Sequence, residues 1–204
     1  FNTVLHSFFP ETPLFPSLGN HWFSFDFNTK KDPFTLDGVS FINDSLPDEL
    51  SLLKGLNPQR LVSSAFVPQN FDGFLALAVD DYKTLEDNFK QFSRFKNIPL
   101  PEINFDPLSA IDEIAWLNLQ DNKALFFHLT NNENINPILF SNSESKESYR
   151  GLELYNQKLP QDLLALIEVY GTPINPKWGV QLEEFLIFAE NETFLKQIIG
   201  AHLD

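Results

Sequence analysis

The chain carries residue types that do chemistry, so the first question is whether their spacing lets any of them act together. The four histidines, His6, His21, His128 and His202, fall at none of the HxH, HxxxH or HExxH spacings that place two imidazoles on one metal. Convergence of two or three in the fold stays open beside the ordinary reading of scattered, partly buried rings. In DFNTKKDPFTLD, residues Asp26, Asn28, Asp32 and Asp37 stand at positions 1, 3, 7 and 12 of a calcium loop. Lys30 and Lys31 spoil that pattern, the second where the loop needs glycine, and a hairpin turn explains the segment without metal.

Adjacent carboxylates occur at Asp80-Asp81, Asp112-Glu113 and Glu183-Glu184. Glycoside hydrolysis needs two carboxyls roughly 5 to 10 Å apart across a cleft, and neighbours on a strand point to opposite faces instead. Asp80-Asp81 precedes a helical pattern and reads as a cap. The chain has no GxSxG elbow, no Walker loop and no GxGxxG, and cysteine is absent. No catalytic residue, cofactor or metal ligand is therefore assigned. Two sequons, at Asn43 and Asn191, matter only in a glycosylating secretory pathway. The candidate binding residues are the aromatics Trp22, Trp116 and Trp178, with Tyr170, as a stacking platform. Core packing is the competing role for each.

The elements that must position these residues follow from periodicity. WFSFDFN alternates with period 2, and with TLDGVSF it predicts a hairpin over 22–41. SLPDELSLLKGL predicts a helix, LVSSAFV a short strand, and DGFLALAV an apolar strand leading into an amphipathic helix over 82–95. KNIPLPEINFDPLSAIDE is a Pro-rich connector. EIAWLNLQDNKALFFHL predicts a second hairpin, the polar stretch 131–151 a loop with strand-like ends, and LELYN a strand. PQDLLALIEVYG predicts a helix, and KWGVQLEEFLIFAEN one or two strands before a closing helix capped by Asn191.

Phe74, Leu75 and Ala78 align with Phe185, Leu186 and Ala189, and the Trp22 hairpin has a counterpart in the Trp116 hairpin. Two readings stand side by side: a duplicated hairpin-helix-strand-helix unit, or a chance match of a common arrangement. The expected fold is α+β, with antiparallel sheets covered on one face by helices. The expected organisation is a Pro-rich lead over 1–19, one unit over 20–96, a connector over 97–113 and a second unit over 114–204, with one shared core as the alternative.

Composition bounds the partners. The chain has 204 residues, 22 of them Phe, and a net charge of −14, which repels phosphate backbones and anionic membrane surfaces. No apolar run approaches the length of a membrane span. The first residue is Phe, so the chain is expected to be a processed product or a piece of a longer one.

WFSFDFNTKKDPFTLDGVSFI followed by LVSSAFVPQNFDGFLALAVDD resembles exported proteins and lipoproteins of unknown function from Bacteroidetes-type bacteria. GVQLEEFLIFAENETFLKQII is similar to their closing strand-helix pattern. The resemblance covers residues 20–95 and 150–204, and it implies an envelope location, periplasmic or anchored at the outer membrane, and a longer parent chain. It transfers no catalytic residue. The expected function is a non-enzymatic extracytoplasmic binding or scaffolding module with a protein partner in the envelope, acting through a sheet edge or an aromatic patch. The alternatives are a carbohydrate-active hydrolase using converging carboxylates and a glycan- or small-molecule-binding domain.

Overall fold

The computed structural model of the protein describes residues 22–28, 35–41, 45, 47, 49–68, 70–97, 107–130, 143, 145–159, 163–164, 167 and 174–204. In chain order the elements are β1 (Trp22–Asn28), β2 (Thr35–Phe41), β3 (Gly73–Ala78), α1 (Tyr82–Lys96), β4 (Ile111–Leu119) and β5 (Asn122–Leu129). They continue with β6 (Ser145–Tyr149), β7 (Leu152–Asn156), β8 (Trp178–Leu182), β9 (Phe185–Ala189) and α2 (Glu192–Leu203). Short 3-10 turns lie at Glu49–Leu53, Ser63–Phe66 and Pro107–Ala110. β1 and β2 form a hairpin of their own, and the other seven strands form one antiparallel sheet in the order β3-β4-β5-β9-β8-β7-β6. The architecture is α+β, as the mixture of hairpins and helices predicts.

α1 and α2 do not share a face, which corrects the expected one-sided cover, while helical Leu163 and Ile167 lie on the α1 side. Tyr82, Leu85, Phe89 and Phe92 of α1 pack with Trp116, Leu125, Phe127, Leu186 and Phe188 on one side of the sheet. Phe194, Leu195, Ile198 and Ile199 of α2 pack with Leu117, Phe126, Val180, Phe185 and Ile187 on the other. Every residue of β9, Phe185–Ala189, is buried. A strand covered on both faces reads as a continuous apolar run rather than an alternating one, and FLIFA is such a run. Each fully buried Leu, Ile or Phe contributes about 1.5–3 kcal/mol, so both faces are needed to stabilise the sheet.

Local chemistry sets the boundaries. Asp81 caps α1 by accepting from the Lys83 and Thr84 N–H groups, and Asn97 ends it in the left-handed region at φ 53°. Asn191 caps α2 by accepting from the Phe194 N–H at 2.9 Å. The β6–β7 hairpin turns on Arg150 and Gly151, with φ 50° and 84°. The β4–β5 and β8–β9 turns instead place Gln120 (φ 55°) and Glu183 (φ 54°) in the left-handed region.

Other segments depart from their sequence pattern. LVSSAFV forms a 3-10 turn, not a strand, because the Glu113 carboxylate holds its leading N–H groups. Among its described residues, SLPDELSLLKGL contributes only the 3-10 turn Glu49–Leu53. β6 occupies one of the strand-like ends expected of the polar stretch 131–151, whereas β4 begins at Ile111 inside the stretch read as connector.

β3 pairs with β4, so strands on both sides of the connector join one sheet. The aligned segments of the repeat occupy unlike places: β3 is a terminal strand and β9 a central one, while α1 and α2 lie on opposite faces. The Trp22 hairpin stands in its own two-stranded sheet, whereas the Trp116 strand is within the large one. A different order does recur about the β5/β9 boundary. Strand, helical residues and hairpin succeed one another as β3-α1-β4-β5 and as β7, helical Leu163, Leu164 and Ile167, then β8-β9.

Candidate functional site

The two outermost strands of the large sheet differ in chemistry. β3, GFLALA, has neither a charge nor a proline along its six residues. Phe74 and Ala76 lean on the α2 side and Leu75 and Leu77 on the α1 side, and all six residues are half-buried. β4 covers one side of β3, and no strand covers the other among the described residues. A terminal strand offers a row of main-chain N–H and C=O groups to any extended segment.

Its flanks are acidic and exposed: Asp72 on one side, Asp80 and Asp81 on the other. Each is fixed by the fold. Asp72 accepts from the Gln120 N–H. Asp80 accepts from Asn57 N–H at 3.2 Å and Asn57 Nδ2 at 2.7 Å, bonds that hold its carboxyl below the ordinary range. Asp81 accepts from the Thr84 hydroxyl at 2.7 Å, with the same effect. Lys83, the next cation along the chain, pairs with Glu86 and Asp87. Phe71 is exposed at the Asp72 end and sits edge-on to Phe74 at 6.3 Å between ring centres.

The neighbouring strand β4 carries a buried carboxyl that holds the 3-10 turn at Ser63–Phe66. Glu113, the β4 partner of Ala78, is 2 % exposed and accepts from Val62 N–H at 2.6 Å, Ser63 N–H at 3.1 Å and the Ser63 hydroxyl. A buried polar group is tolerated where its oxygens accept hydrogen bonds, as these do. Sequence reasoning missed this pair. Its only trace is a carboxylate inside a mainly apolar strand and a Ser-Ser step fifty residues away.

A second polar pair joins β4 to β5 in the interior of the sheet order. The β4–β5 register shifts between Ile111 and Glu113, leaving Asp112 outside the ladder and re-aimed. Its carboxylate meets His128 Nδ1 at 2.5 Å, and Glu184 approaches Nε2 at 3.4 Å. Burial pulls the His128 pKa down, but the Asp112 bond and charge, joined by Glu184, outweigh it and leave the ring raised. His202 stacks on Phe66 at 4.0 Å and lies 3.6 Å from Glu183, and Phe66 and His128 both contact Phe185. Two histidines thus meet one hairpin turn without any sequence spacing to announce it. Asp112 and Glu184 converge on an imidazole rather than facing each other across open space. Among the described residues no group of three His, Asp or Glu side chains could hold a metal.

The aromatic candidates are dispersed. Trp116 is 4 % exposed on the α1 side, and its indole N–H has no partner among the described residues. Trp178 packs against the α2 side, so the two indoles lie on opposite faces. Trp22 opens β1 opposite Phe41 in the separate hairpin. Asp26 and Asp37 of the calcium-like pattern are cross-strand partners in that hairpin. His6, His21, Asp32, Asn43 and Tyr170 lie outside the described residues. Asn191 of the other sequon is engaged, its Nδ2 donating to Asn122 at 2.7 Å while its Oδ1 caps α2.

No helix among the described residues is long and apolar enough to cross a membrane. Family models, curated proteins and solved structures gave no match to this chain.

Proposed function

We propose that the protein is a non-enzymatic binding module that accepts an extended segment of a partner protein along β3. The carrying observation is the uncharged strand GFLALA, paired on one side only among the described residues, at the end of a sheet whose opposite terminal strand is charged. Main-chain pairing would supply affinity, and the residues flanking the strand would supply selection. The resemblance to exported Bacteroidetes-type proteins supports an extracytoplasmic setting with a partner in the envelope. The acidic surface fits a protein partner better than nucleic acid.

The test is selection of extended peptides from a random displayed library, followed by amide exchange on the purified chain. Selected peptides should slow exchange at Gly73–Ala78 more than at any other strand. Binders that leave β3 exchange unchanged, or a selection that returns none, would overturn the proposal.

A further inference from the structure

Resting on that reading of β3, we infer that its occupant is a segment with an apolar centre and basic residues at both ends, and not a second copy of this chain. The geometry assigns the charge. β3 is neutral over Gly73–Ala78, and exposed carboxylates stand at each end, Asp72 before it and Asp80 and Asp81 after it. A segment laid along the strand passes from one acidic end to the other, whichever direction it runs. Basic residues at both its ends therefore meet a carboxylate in either direction, and acidic ones meet repulsion.

The same charges disfavour self-pairing. Two copies of β3 joined antiparallel about their centre would bring Asp72 of each against the Val79–Asp80 end of the other. Joined in parallel and in register, they would set Asp72 against Asp72 and Asp80 against Asp80. Like charges facing across paired strands destabilise them. The net charge of −14 adds repulsion between whole copies.

The probes are three synthetic peptides with the same alternating Val-Thr centre, ended by paired lysines, paired serines or paired glutamates, and read by fluorescence anisotropy. The lysine-ended peptide should bind roughly tenfold tighter than the glutamate-ended one, as expected for a few exposed charge pairs. That advantage should shrink between about 0.05 M and about 0.5 M salt, as screening shortens the reach of the charges. Asp72→Lys with Asp80→Lys should reverse the ranking in a chain whose circular dichroism is unchanged. Should the double variant fail to fold, the salt dependence of the unaltered chain decides instead. Equal binding of all three peptides would overturn this inference while leaving strand acceptance standing. No binding by any peptide, with β3 exchange unaffected, would overturn strand acceptance itself. Sedimentation showing a dimer that Ala76→Pro dissolves would overturn the exclusion of a second copy.

Discussion

The two ends of the large sheet use charge in opposite ways. At the β6 end, charge sits on the strand itself: Lys146 pairs with Glu153 across β6–β7 at 3.1 Å and lies 4.7 Å from the Tyr155 ring centre. Glu147 reaches Lys196 of α2 at 3.5 Å, and Arg150 of the turn pairs with Asp204 at 2.7 Å. These groups are solvated, contribute little to stability, and make the strand unattractive to another chain. At the β3 end the strand is bare. Acidic groups lie instead in the neighbouring strand, at the buried Glu113, and beyond the ends of β3, at Asp72, Asp80 and Asp81. The difference teaches that charged groups placed on a strand block its edge, whereas charged groups only at its limits leave the edge open.

The largest expected effect tests the buried half of that contrast. Glu113→Ala strands the buried Ser63 N–H and hydroxyl and the half-buried Val62 N–H, so it should cost about 2–4 kcal/mol in denaturant unfolding, with the Val62 and Ser63 amides exchanging faster. A loss below about 0.5 kcal/mol, of the size typical of exposed pairs, would erase the distinction between the two ends.

Next comes the Asp112–His128 pair, which joins β4 to β5 in the interior of the sheet order. The folded ring is raised, so its pairing contributes fully below the unfolded pKa of about 6.5 and is lost as pH rises through the folded value. Asp112→Asn should therefore cost about 1 kcal/mol near pH 5, discounted because the Asp112 side chain is 41 % exposed, and less near pH 9. The same substitution should lower the His128 titration midpoint read by NMR. A stability difference that does not change with pH would show that the contact acts without ionisation.

A third measurement compares the turns. Gly151, at φ 84°, already suits its place between β6 and β7, and Gly151→Ala should cost about 1 kcal/mol although a Cβ there meets nothing within 4 Å. Gln120→Gly at φ 55° should gain about 0.5–1 kcal/mol, because the Asp72 bond to its N–H survives the change. Thermal unfolding of both variants checks the signs. The smallest effect is Lys146→Ala, whose unfolding midpoint should match that of the unaltered chain, because its ion pair is solvated. A lower midpoint would mean that the β6 charges hold the strand rather than shield it.

Part of this arrangement was legible without coordinates. The cap Asn191, a cap at Asp80 or Asp81, the α1 stripe Tyr82, Leu85, Phe89 and Phe92, and the backbone hairpins at Trp22 and Trp116 follow from local periodicity and capping, while the choice of Asp81 came from the fold. The 3-10 turn at Ser63 did not, because a carboxylate fifty residues away sets its conformation. Cover on both faces was within reach of the sequence, since ALFF and FLIFA are unbroken apolar runs.

By itself, then, the sequence determined the periods, the caps, the acidic surface and the α+β class, all of which depend on residues within a few positions of one another. Only the tertiary structure decided the rest. It made GFLALA an outer strand and FLIFA a central one, although the two segments read alike. It separated Trp116 from Trp178 by the thickness of the sheet, and it drew His128 and His202 to one turn. Strand order is set by which apolar faces can be buried together, a property of pairs distant in the chain that no local spacing encodes.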